Sequence, residues 1–169
     1  MTTPPTTAPE PEKAKSIEEL TTLTRHLRRQ GKTVAWTNGF FEILHAGHIE
    51  FLLKAARLAD VFIVGVNSDS SVLTAKGVGH PLASQSERVA VLAAVECIDY
   101  ITVFAEPDCT HILQALQPDV YAKGLQHLHG GIDEGERSII ETQGGCIALI
   151  AGDERISTAS IMERIRKGA

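Results

Sequence analysis

The chain has 169 residues, 43% hydrophobic and 22% charged, with a formal net charge of −5. That length suits one ordinary domain burying roughly two-thirds of its unfolded surface, and the apolar content excludes general disorder. The acidic balance excludes broad nucleic-acid binding, which needs a concentrated basic surface, but a few local donors can still hold a small anionic ligand.

Residues 1–15, "MTTPPTTAPEPEKAK", are rich in Pro, Thr, Ala and Glu. They bury too little apolar area to offset the entropy of ordering and read as a flexible tail. The tail lacks the apolar core of a signal peptide, and no later run approaches the length of a membrane span. The expected location is therefore the cytoplasm, without membrane association. Cys97, Cys109 and Cys146 are odd in number and widely spaced. They read as reduced thiols, with neither a disulfide framework nor a CxxC metal motif.

One folded domain is expected over 16–169. Ser16 and Glu19 form a capping box ahead of Leu20, Leu23 and Leu27, which share a helical face, and Gly31 stops that helix. Strands are then predicted over 33–36, 61–66, 100–104, 119–122 and 146–150. Helices are predicted near 47–58, 86–96, 110–116, 134–143 and 157–167. The run "VFIVGV" is almost continuously apolar, as in a strand covered on both faces. Alternating strands and helices imply a parallel sheet with right-handed crossovers. The fold class is thus α/β: a Rossmann-like, doubly wound sheet of about five strands in three α/β/α layers. Ligands of such sheets bind beyond the carboxyl ends of the strands, where the strand order reverses.

The stretch "TNGFFEILHAGHIEFL" lies at that end. Thr37-Asn38-Gly39 follows the first core strand, and His45-Ala46-Gly47-His48 opens the next helix. A helix start offers unpaired N–H groups and the positive end of the macrodipole, both suited to phosphate. Gly47 removes a Cβ that would obstruct close approach. His45 and His48, one turn apart, can both face a bound anion and stabilise a phosphoryl-type transition state with a departing pyrophosphate. A lone histidine here is more often a cap, but two around a glycine at a β-to-α junction point to function. A zinc site is the competing reading, with Glu42 as a possible third ligand, although no HExxH pattern supports it.

Further segments run in the same order along the chain: "VGVNSD" at 64–69, "KGVGHPL" at 76–82, "SERVAVLAAVECIDY" at 86–100, "QPDVYAKG" at 117–124 and "ISTASIMERI" at 156–165. Together with Thr37-Asn38-Gly39-Phe40-Phe41-Glu42 and the HxGH motif, they resemble the cytidylyltransferase-like nucleotidyltransferases over about 33–167. Within that superfamily the sequence is most similar to the adenylyltransferase domains of ADP-heptose synthases, which act on D-glycero-β-D-manno-heptose 1-phosphate. Glycerol-3-phosphate cytidylyltransferases are more distant.

The resemblance implies transfer of an NMP from an NTP, ATP rather than CTP, to a sugar 1-phosphate, with Mg²⁺ bridging triphosphate oxygens and no metal ligand from the protein. It also implies a homodimer. His45, His48 and Lys76 would be catalytic, Lys76 from a glycine-rich loop after the second strand. Thr37, Asn38, Gly39, Phe40, Gly47, Lys123, Gly124, Ser157 and Thr158 would meet the nucleotide, and Glu42 and Arg88 the acceptor. Each has a plainer reading: a solvated lysine, an Arg88–Glu87 ion pair, an N-cap at Ser157, a turn at Lys123-Gly124. Lys54 reads as a helix charge.

Three departures bear on the acceptor and the base. Glu42 stands where relatives carry Asp, moving the carboxylate by about 1.5 Å. The run Lys123-Gly124-Leu125-Gln126-His127 replaces K-G-G-D-Y, and Ala159 replaces a second threonine. The alternatives left open are a cytidylyltransferase for glycerol 3-phosphate or another polyol phosphate, a catalytically inactive nucleotide-binding module, and a metal-dependent hydrolase. The length leaves no room for a sugar kinase domain, so a separate kinase is expected to supply the sugar 1-phosphate.

Overall fold

Residues 11–125, 132–152 and 157–168 are described by the computed structural model. Among them, strands and helices alternate as α1 (Ile17–Arg29), β1 (Val34–Gly39), α2 (Ala46–Ala56), β2 (Val61–Asn67), α3 (Asp69–Lys76), α4 (Gln85–Ala93), β3 (Tyr100–Phe104), α5 (Thr110–Leu116), β4 (Val120–Gly124), α6 (Glu134–Thr142), β5 (Cys146–Ile150) and α7 (Thr158–Lys167). The strands form one parallel sheet in the order β3-β2-β1-β4-β5. This is the expected doubly wound fold, and the order reverses between β1 and β4. A ligand crevice belongs there, at the carboxyl ends of those two strands.

Side-chain alternation along the strands explains the two apolar layers. Ala35, Phe62, Val64 and Ile101 point to one face, where Leu52 and Ala55 of α2 and Val89 and Leu92 of α4 cover them. Trp36, Ile63 and Tyr121 point to the other, against Leu20 and Leu27 of α1, Ile112, Leu113 and Leu116 of α5 and Ile140 of α6. Gly65 is obligatory at the centre: a Cβ there would sit 2.3 Å from the Trp36 ring. The sheet therefore separates two apolar clusters within the domain.

Beyond helix ends that fall two or three residues early, at Ala56 in α2 and Ala93 in α4, the structure differs from the sequence expectations in three places. α3 was not anticipated; Ser68 caps it by accepting from the Ser71 amide, and only Ser71 and Val72 are buried. Lys76 is consequently the last residue of a helix, not part of a loop. β1 runs on to Gly39 and β4 to Gly124, because Thr37, Asn38 and Gly39 continue the ladder against Val64, Gly65 and Val66, while Lys123 and Gly124 pair with Leu149 and Ile150. Finally, order begins before Ser16. Ala14 bridges to Ile101, and the Lys13 ammonium donates to the Val95 carbonyl at 2.9 Å. Of the tail expected over 1–15, residues 1–10 lie outside the described residues, as do Gln126, His127 and Ile156.

Candidate active site

The histidine pair is built by the start of α2. His45 is the N-cap, with extended backbone, and its Nδ1 accepts from the His48 amide at 3.3 Å. A ring nitrogen that accepts carries no proton, so neutral His45 keeps its proton on Nε2, as a donor for a ligand. Ala46 and Gly47 occupy the first turn, where amides have no intrahelical acceptor. His48 stacks on His45, with centroids 3.8 Å apart and rings 23° from parallel, and meets the Phe41 ring edge-on at 5.4 Å. Its Nδ1 is buried without a hydrogen-bond partner.

Both imidazoles are held neutral. Burial lowers His45 below its ordinary 6.5. For His48, burial first, then the neighbouring His45 and Lys76, push it down to about 4, against the opposing pull of the Ile43 carbonyl. The pair therefore offers neutral N–H donors at pH 7, not the standing cationic charge that two protonated imidazoles would bring.

The turn between β1 and α2 is held from behind. Phe41 has a left-handed backbone (φ 47°), which costs a non-glycine residue about 1–3 kcal/mol. Arg88 offsets that strain. Its buried guanidinium donates to the Phe40 carbonyl at 2.7 Å, the Ala83 carbonyl at 3.1 Å and the Asp69 carboxylate at 2.8 Å. Gly39 leaves space for the Phe41 ring, which would lie 3.1 Å from a Cβ at that position.

Glu42 is also turned inward. Its carboxylate pairs with the Lys76 ammonium, accepts from the Leu82 amide at 3.0 Å, and lies 2.7 Å from His80 Nδ1. Burial alone would raise its carboxyl group, but the hydrogen bonds from Lys76, His80 and Leu82 outweigh that and hold it below the usual carboxylate range. Glu42 thus fastens both ends of the segment 76–82 to the turn before the histidines. Lys76 also lies 4.8 Å from the Phe40 ring centroid. Glu42 and Arg88 were expected to meet the acceptor; in this structure both are buried and hydrogen-bonded within the chain.

Across the crevice, Thr37 is buried and donates to the Ala122 carbonyl at 2.9 Å, tying β1 to β4. Asn38 Oδ1 accepts from the Lys123 ammonium at 3.1 Å and lies 2.8 Å from the Tyr121 hydroxyl oxygen. Gly124 ends β4 beside them. Ser157 caps α7, accepting from the Ser160 amide at 3.1 Å, and Thr158 is the first residue of that helix. Lys54 pairs with Glu50 and donates to the Ala151 carbonyl, joining α2 to the end of β5.

Sequence reading missed His80, Tyr121, Asp69 and Glu136, all of which act through contacts between distant elements. The available signal was local only: Asp69 follows the Ser68 cap, and Glu136 stands three residues after the Asp133 cap.

Among the described residues, no group of three or more His, Cys, Asp or Glu side chains is placed to hold a metal ion. Glu42, the third ligand considered for zinc, is taken by Lys76, His80 and Leu82. The donor set around the histidines suits anions; hard cations such as Mg²⁺ require oxygen ligands. No helix among the described residues is long and apolar enough to cross a membrane.

Comparison with known proteins agrees with this geometry. The profile of the cytidylyltransferase-like family matches residues 36–163. The bifunctional protein HldE of Syntrophotalea carbinolica is 42% identical over 138 residues, 82% of this chain and 28% of that protein. HldE of Geobacter sulfurreducens is 38% identical over 155 residues, 92% of this chain and 31% of that protein. The chain thus spans under a third of the length of these relatives. A lipopolysaccharide core biosynthesis protein from Thermoplasma volcanium superposes with a TM-score of 0.57 at 27% identity, over 73% of this chain and 98% of that one. A pantoate-beta-alanine ligase from Francisella tularensis shares the fold at 14% identity, with a TM-score of 0.57 over 91% of this chain and 76% of that one. With a profile match that takes in His45, His48, Lys76, Lys123 and Ser157, the chain belongs to the cytidylyltransferase-like family.

Proposed function

We propose that the protein is a nucleotidyltransferase that joins the NMP of an NTP, ATP in preference to CTP, to a sugar 1-phosphate, with heptose 1-phosphate as the leading acceptor. A phosphate oxygen of the acceptor attacks the α-phosphorus. The bond to the bridging oxygen breaks as the new P–O bond forms, and pyrophosphate leaves with the electron pair. A phosphate monoester is already an anionic nucleophile, so no covalent enzyme intermediate is required. The protein's task is alignment of two repelling anions and compensation of charge.

The observation that carries this reading is the stacked His45–His48 pair at the N-terminus of α2, neutral and backed by an inward-facing turn. His45 Nε2–H and the first-turn amides supply preorganised donors for phosphate oxygens, and the helix dipole adds to them. Lys123 and Asn38 border the nucleotide side of the crevice, with Ser157 and Thr158 at the start of α7 as further phosphate donors. Lys76, which pairs with Glu42 in the free protein, turns to the incoming phosphate when substrate binds. The names of the HldE relatives and of the lipopolysaccharide core biosynthesis protein favour a sugar nucleotide product. We also take the working form to be a cytoplasmic homodimer.

The test is a pyrophosphate-release screen of ATP, CTP, GTP and UTP against heptose 1-phosphates, other sugar 1-phosphates and glycerol 3-phosphate. The expected result is turnover with ATP and a heptose 1-phosphate. Turnover only with CTP and glycerol 3-phosphate would replace the reading with the polyol one. Tight nucleotide binding without pyrophosphate release from any pair would make the protein a binding module.

A further inference from the structure

Behind Lys123 and Asn38 lie two buried polar side chains without a role so far, Glu136 and Tyr121. Glu136 is the third residue of α6, the position from which a capping-box glutamate turns back to its own N-cap amide. Here Asp133 caps the helix with its own side chain, accepting from Gly135 and Glu136 amides, and the Glu136 carboxylate extends toward the sheet. It accepts from the Cys109 amide at 3.0 Å and from the Tyr121 hydroxyl at 2.9 Å, and lies 3.7 Å from the Lys123 ammonium. Tyr121 and Lys123 both reach Asn38 Oδ1 as well, and the ammonium lies 4.6 Å from the Tyr121 ring centroid.

A carboxylate only 5% exposed would be costly to bury for capping alone, since a neutral side chain can accept the same two hydrogen bonds. What the charge adds is a counter-ion for Lys123, itself 9% exposed, at the carboxyl end of β4. An ammonium has three donors. Asn38 takes one, and the Glu136 carboxylate attracts the ammonium from 3.7 Å, which holds the nitrogen beside β1.

We infer that Glu136 is a positioning residue for nucleotide binding: through Lys123, Tyr121 and Asn38 it sets the cationic contact at the β1–β4 crevice. This rests on the nucleotide-binding role proposed for Lys123. Calorimetric titration of the full chain with ATP tests it on wild type, Glu136→Gln, Lys123→Met and the double variant, with thermal melts alongside. Glu136→Gln is expected to weaken ATP by about ten-fold, the scale of one charge-assisted hydrogen bond, and to raise KM for ATP with little change in kcat. The double variant should bind no more weakly than Lys123→Met, because Glu136 acts through that lysine. Unchanged affinity in Glu136→Gln, or additive losses in the double variant, would overturn the inference, as would a wild-type protein that binds none of the four NTPs. If Glu136→Gln does not fold, Tyr121→Phe removes the hydroxyl that links Glu136 to Asn38, and unchanged ATP affinity in that variant overturns the inference equally. Wild type that binds ATP but transfers nothing would defeat the proposed reaction and leave the inference standing.

Discussion

The rings of His45 and His48 stack at 3.8 Å, a distance at which two protonated imidazoles would repel each other. The pair is kept neutral by burial. Replacing His45 or His48 by Ala should therefore lower kcat by at least about 10²-fold, as expected for loss of a preorganised donor to a developing anion. The protein should stay folded in His45→Ala, with a stability loss of about 0.5–2 kcal/mol from removal of the α2 cap. Steady-state pyrophosphate release and thermal denaturation check both parts.

The same burial makes folding sensitive to acid. His48 binds its proton at about 4 when folded and near its ordinary 6.5 when unfolded. Between those values the unfolded chain holds more protons, so stability is full above pH 6.5 and falls as the pH drops toward 4. After allowance for partial solvent screening, the loss is roughly 2 kcal/mol. Glu42, held below its ordinary 4.5, adds a loss at still lower pH. Denaturant melts from pH 7.5 to 4.5 should show a steeper decline in wild type than in His48→Gln; parallel curves would contradict this.

Glu42→Gln should destabilise the protein by about 1–3 kcal/mol, because it leaves Lys76 without a counter-charge and weakens the hold on His80 and Leu82. Its more specific effect should appear in limited proteolysis. Cleavage within 77–82 should accelerate relative to the rest of the chain, since Glu42 anchors that segment at both ends. Glu42→Asp, with its carboxylate about 1.5 Å shorter in reach, should lie between the two.

Arg88→Met should cost about 1–3 kcal/mol by leaving the Phe40 and Ala83 carbonyls without the guanidinium that they accept from. Arg88→Lys should recover little of it, since one ammonium cannot reproduce the three-way fork to Phe40, Ala83 and Asp69. Chemical denaturation measures the loss directly, and kcat should fall as the turn before His45 loosens.

Much of this architecture is legible in the residues. β3 and β5 have the bounds that the apolar runs imply, and the HxGH motif sits at the helix start that its capping chemistry requires. α3 escaped because its sequence, "DSSVLTAK", has almost no apolar face; the Ser68 cap and the burial of Val72 hold it instead. The ends of β1 and β4 were placed too early because ladder pairing carries the polar residues Asn38 and Lys123 into the sheet. The inward roles of Glu42, Arg88 and Glu136 were hidden for a different reason. Most of their partners, Lys76, His80 and Leu82 for Glu42, Phe40 and Asp69 for Arg88, and Cys109 for Glu136, are 19 to 48 residues away, and no periodicity encodes such meetings.

The most direct measurement is product analysis of purified protein with magnesium–ATP and D-glycero-β-D-manno-heptose 1-phosphate, alongside the His45→Ala/His48→Ala double variant. Wild type should release one pyrophosphate for each ADP-sugar formed, and the double variant should form almost none while remaining folded. Equal turnover by the two proteins, or pyrophosphate-free hydrolysis of either substrate by wild type, would contradict the phosphate-cradle account.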